Sequence, residues 1–114
     1  MDIVFSNRRL QKELSEAKVM QTVHGLKRTK RLKVVMASLR SVPNMGVLAP
    51  PYSPPHRCHE LANDLKGKLS LDLDGPYRLI IEPLNRPLPK RAEGGLDWHR
   101  VTVIKIIAVE NTHG

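Results

Sequence analysis

Two histidines and one arginine stand where packing alone would not put them. His59 precedes an alternating strand pattern, Arg78 interrupts the apolar run 77–82, and His113 follows the hydrophobic stretch 101–109, with Asn111 just before it. Imidazole titrates closest to neutrality, which makes a pair of histidines a natural acid and base. Guanidinium meets phosphate oxygens through a planar fork. Cleavage of RNA without a metal asks for this inventory: a base for the 2′-hydroxyl proton, an acid for the leaving 5′-oxygen, and a cation for the charge that develops at phosphorus. The same three residues also suit an ordinary sheet surface. Arg78 in particular has a structural alternative, an ion pair with Glu82 or Asp72.

Other potential ligands do not form a set. His56, Cys58 and His59 lack the spacing of a four-ligand metal site, so neither a metal nor any other cofactor is expected. Cys58 reads as a small buried residue, and His24 beside Gly25 as a helix-end residue. Trp98 and His99 read as a packing anchor for a long loop, with base stacking as the alternative.

Positioning these residues is the task of one domain spanning 1–114, a length that allows a sizeable core. No stretch approaches the run of about 18 apolar residues that a membrane span needs. No basic-then-apolar leader is visible at the N-terminus, and one cysteine cannot form an internal disulfide, so a reducing cytoplasmic setting is expected. Nineteen Lys and Arg against eleven Asp and Glu give +8 and a pI near 10.1. Lys27, Arg28, Lys30, Arg31 and Lys33 crowd one segment, which points to a polyanionic or acidic partner.

The hydrophobic pattern places the elements. Residues 2–5 read as an edge strand, and Ser6 or Asn7 as an N-cap. Leu10, Leu14 and Ala17 mark one helix face, Gly25 a break, and 26–41 a second helix with Leu32, Val35, Met36 and Leu39 as its apolar stripe, ended by Pro43. Residues 42–55 and 83–97 read as loops. Leu69, Leu71 and Leu73 alternate with Ser70, Asp72 and Asp74. Asp74-Gly75-Pro76 then turns the chain into 77–82, forming a hairpin. The nearly unbroken β-branched run 101–109 predicts a strand covered on both faces. The result is α+β: two N-terminal helices packed on one face of a small, mostly antiparallel sheet.

The string Cys58-His59-Glu60-Leu61, the Lys66-Gly67 before a strand, the segment Asp74-Gly75-Pro76-Tyr77-Arg78-Leu79-Ile80 and the terminal Val109-Glu110-Asn111-Thr112-His113 resemble the HigB branch of the RelE/ParE toxin superfamily. The likeness covers 56–82 and 101–113 and, in pattern only, the N-terminal helices. It implies a RelE-like fold and the toxin of a type II toxin–antitoxin pair. Such a toxin is a metal-independent endoribonuclease that cuts mRNA on the ribosome. A cognate antitoxin, a helix-turn-helix protein encoded next to it, neutralises it, and DNA is met only through that complex.

Carried over residue by residue, the resemblance makes His59 and His113 the proton-transfer candidates and Arg78 the phosphate clamp. Asn111 and Thr112 would support them, and Lys66 and Lys68 would hold RNA backbone. Apart from the resemblance, Lys27, Arg28, Lys30 and Arg31 read as a contact for RNA, ribosome or antitoxin, with a solvated helix face as the alternative. Asn111 and Thr112 stand where family members usually present an acid and a tyrosine. Asn111 hydrogen-bonds but cannot orient an imidazolium by charge, and Thr112 offers no aromatic face for a base. Two alternatives follow. One is a catalytically weak or inactive binding and regulatory protein on the same fold. The other is a gyrase-directed toxin like those of the ParE branch.

Overall fold

The chain folds as five strands with a helical layer on one side, as a computed structural model describes it for residues 1–50 and 56–111. In chain order the elements are β1 (Asp2–Phe5), α1 (Arg8–Ser15), α2 (Ala17–Ser41), β2 (His59–Glu60), β3 (Leu69–Asp72), β4 (Tyr77–Pro83) and β5 (Val103–Asn111). The sheet order is β1-β5-β4-β3-β2, and only the β1–β5 pair is parallel. This is the α+β arrangement expected from the pattern.

The helices start and stop for local reasons. Asn7 sits in extended backbone and its Oδ1 accepts the Leu10 N–H at 2.8 Å, capping α1. Gly25, at φ +79, breaks α2 into two helical segments, a conformation that glycine adopts without steric cost. Extended backbone at Val42, followed by Pro43, closes it. A second break falls at Glu16, whose φ and ψ are extended. The chain therefore leaves the α1 face one residue before Ala17, which is exposed and not part of that face.

One core fills the space between the layers. Leu10 and Leu14 of α1 and Leu32, Val35, Met36 and Leu39 of α2 meet Leu69, Leu71, Leu79, Ile81, Ile104 and Ile106 of the sheet. Truncating any of these to alanine would cost about 2–5 kcal/mol, since close-packed neighbours cannot refill the space. Cys58 joins this core and its thiol is pushed up to about 12 by burial.

β5 departs from expectation. Ile104 and Ile106 are buried, but their neighbours are only partly covered, so one face alone is packed by helices. The two long loops also carry structure: a 3-10 turn at Met45–Leu48, and a bridge between Lys90 and Leu96 within 83–97. Trp98 packs against the core beside that loop, as the anchoring role requires. Among the described residues no helix is long and apolar enough to cross a membrane.

Candidate functional site

Strand parity decides which side chains meet. Residues directly opposite one another in neighbouring strands share a face. Tyr77, Leu79 and Ile81 of β4 point toward the helices, so Arg78, Ile80 and Glu82 point to the face away from them, where Ile80 itself is inaccessible. His59 lies opposite Ser70, Ser70 opposite Ile80, and Ile80 opposite Ala108. Asp72 lies opposite Arg78, which lies opposite Glu110, and Glu82 lies opposite Lys105. These residues therefore share the face away from the helices.

A bulge makes part of that alignment. The β4–β5 register slips between Ile80 and Ile81, leaving Ile107 of β5 without a register partner in β4. Lys105 and Glu110 are five positions apart and would lie on opposite faces of a regular strand. With the extra residue both reach the open face.

His59 stands at one end of this face. Its Nδ1 is 2.9 Å from the Arg57 carbonyl, and its Nε2 is 3.2 Å from Ser70 Oγ. A carbonyl only accepts, so Nδ1 carries a proton; in the neutral ring Nε2 then offers a lone pair to the Ser70 hydroxyl. Arg57 holds its carbonyl there from the left-handed region, at φ +46. Ser70 and Ile80 form an inaccessible floor next to the exposed imidazole.

Arg78 is held by several partners. Its Nε lies 2.8 Å from Asp72 Oδ1, and Nη1 donates to the Gly75 and Tyr77 carbonyls at 2.9 and 2.8 Å. The second Asp72 oxygen faces Arg57 at 3.4 Å. Lys68 and Arg86 both reach Glu82, at 3.6 and 3.8 Å. The face thus carries five cations (Arg57, Lys68, Arg78, Arg86, Lys105) against three carboxylates (Asp72, Glu82, Glu110). It is cationic, but much of the charge is internally paired.

The remaining sequence candidates separate. Strand spacing puts His59 and Arg78 about 12 Å apart at Cα, within joint reach of one strand of nucleic acid. Asn111 lies opposite Tyr77, on the helix side, and β3 and β4 stand between β5 and the β2 strand that carries His59. His113 and Thr112 lie outside the described residues. Lys66 is exposed in the turn ahead of β3.

The basic segment of α2 divides in two. Arg28 grips Asp74 through Nε and Nη2 at 2.9 and 3.3 Å, and its guanidinium stacks 3.4 Å from the Tyr77 ring centroid. That ion pair, opposing the cost of burial, holds the Asp74 carboxyl below its usual range. Arg31 reaches His56 Nδ1 at 3.2 Å, and His56 Nε2 reaches Ser38 Oγ at 2.9 Å. Lys27 and Lys30 point to solvent. Asp74, His56 and Tyr77 are the partners that the sequence reading did not assign. Only Tyr77, by parity with Leu79, was within its reach.

Among the described residues no three His, Cys, Asp or Glu side chains converge as a metal site would require. Compared with known proteins, the chain matches no protein-family model and no curated sequence.

Proposed function

We propose that this protein is the toxin of a type II toxin–antitoxin module, acting in the cytoplasm as a metal-independent endoribonuclease on ribosome-bound mRNA. The observation that carries the reading is the shared open face of His59 and Arg78, flanked by Lys68. In this reading His59 Nε2 exchanges the Ser70 hydroxyl for the 2′-hydroxyl and takes its proton. The 2′-oxygen attacks phosphorus, the bond to the 5′-oxygen breaks, and His113 protonates that leaving oxygen. Arg78 steadies the phosphorane charge. Lys66 and Lys68 hold the backbone to either side, a sequence-independent role suited to point charges.

A second reading has its own support. Arg78 is already bound to Asp72 and two carbonyls, and Asn111 faces the helix layer. A protein that keeps the fold and its partners but does not cleave RNA would look the same in these respects.

Controlled expression separates the two. The endoribonuclease reading expects growth arrest on induction that His59→Ala and His113→Ala each relieve while the protein accumulates to the same level. Arrest of equal strength in both variants would refute the assigned site. Absence of arrest in the wild type would favour the binding protein.

A further inference from the structure

The outer surface of α2 combines two properties that rarely coexist without a partner. The helix carries seven cationic residues (Lys18, Lys27, Arg28, Lys30, Arg31, Lys33, Arg40) and no Asp or Glu. It also carries three of the large apolar residues that stand most open to solvent: Leu26 at 60%, Val34 at 51% and Val23 at 49% exposure. Beyond the Gly25 kink, helical spacing places Leu26, Lys27, Lys30, Lys33, Val34 and Ala37 opposite the buried stripe of Leu32, Val35, Met36 and Leu39. Leu26, Lys30 and Val34 follow one another at intervals of four, an apolar–cationic–apolar row along the rod.

The division of cations within this helix indicates what the row meets. Arginine is the better residue for phosphate, because its fork matches two oxygens at once. Both arginines of the cluster turn inward, Arg28 to Asp74 and Tyr77 and Arg31 to His56. The outward cations are lysines, and Lys30 and Lys33 make no ion pair among the described residues. Lysine stems lie along apolar surface while their ammonium groups remain in water. A polynucleotide would gain little from Leu26 and Val34. An amphipathic helix with an apolar stripe flanked by carboxylates would bury both and pair with the lysines.

We infer that the outer face of α2, centred on Leu26, Lys30 and Val34, is a docking surface for an acidic amphipathic helix of a partner protein. It lies on the far side of the helix layer from His59 and Arg78. Docking there leaves the open sheet face uncovered and does not depend on cleavage at that face.

Fluorescence anisotropy with three labelled probes tests the assignment on the full chain. The probes are a helical peptide of about 20 residues with a leucine stripe flanked by glutamates, the same composition with the stripe scrambled, and a single-stranded RNA of about 12 nucleotides. The wild type is expected to bind the patterned peptide at least about tenfold more tightly than the scrambled one. The pair Leu26→Ser/Val34→Ser should lose about tenfold for that peptide and nothing for RNA. Lys30→Glu/Lys33→Glu should weaken peptide binding and flatten its salt dependence. Equal binding of the two peptides, or no binding of either, overturns the inference. So does peptide affinity that the serine pair leaves unchanged. Loss of RNA affinity alone in the glutamate pair would overturn it too, assigning the face to nucleic acid.

Discussion

Arg78 Nε and Asp72 Oδ1 sit 2.8 Å apart on the open face, with 19% and 14% of their side chains exposed. That burial places the pair between a weak surface bridge and a costly buried one. It joins β3 to β4 at the hairpin and, with the Gly75 and Tyr77 carbonyls, fixes the guanidinium. Removing Arg78 therefore has two separable effects. Arg78→Ala should lower unfolding free energy by about 1–2 kcal/mol in a urea titration. Arg78→Lys keeps the charge but loses the fork, so it should recover part of the stability and little of the proposed RNA cleavage.

If Arg78 meets phosphate as proposed, Asp72 would compete for it. Asp72→Asn should reduce stability by about 1 kcal/mol yet tighten RNA binding, with a steeper fall in affinity as salt rises. Anisotropy across a salt series measures this. Unchanged or weaker RNA binding would show that Arg78 does not meet phosphate.

Folding holds two histidines below their ordinary value of 6.5. For His24, burial is the main cause and Arg28 adds to it, opposed by Glu13 and Asp74; for His56, burial acts first and Arg31 second. His24 Nε2 lies 3.5 Å from Glu13 Oε2, too far for a good hydrogen bond, and has no closer partner among the described residues. Because both pKa values are lower folded than unfolded, the unfolded chain takes up more protons in acid. Stability should be full above about pH 6.5 and decline as pH falls below it toward the folded values. His24→Gln should flatten part of this slope in urea midpoints taken from about pH 7.5 to 5. An unaltered slope would contradict a buried neutral His24.

Thr29 is almost wholly buried in α2, and its hydroxyl has no partner among the described residues. Thr29→Val removes an unsatisfied polar group from the same space and should stabilise by about 1 kcal/mol, raising Tm by about 4 °C. A lower Tm would indicate that the hydroxyl is satisfied.

Cys58 should be inert. With its thiol at about 12, almost none is thiolate near neutrality, and the sulfur is inaccessible as well. A thiol reagent at pH 8 should label it only after denaturant is added. Rapid labelling of the native protein would place Cys58 at the surface.

Much of this architecture was legible from local pattern. Leu32, Val35, Met36 and Leu39 announce their helix face, Asn7 its cap, Gly25 its break, and the alternation around Ser70 and Asp72 the open side of the sheet. Three things were not. The break at Glu16 has no glycine or proline to mark it, so Ala17 was placed on a face it does not share. The one-sided cover of β5 depends on how many helices reach it, which β-branched content does not encode. The slip at Ile107 resets which β5 residues join Arg78, and parity counted along a regular strand cannot detect an extra residue. Within the site, the Arg78–Asp72 ion pair was one of the two pairings open to Arg78 in the sequence, whereas the shared face of His59 and Arg78 and the Arg57 and Ser70 partners of His59 depend on how the strands pair.

The central claim is that His59 transfers a proton during mRNA cleavage, and mapping mRNA 5′ ends by primer extension after brief induction tests it most directly. The account predicts new ends within codons in cells expressing the wild type, and their disappearance with His59→Ala protein of equal abundance and unaltered thermal midpoint. The same cuts at the same intensity in the His59→Ala strain would contradict it.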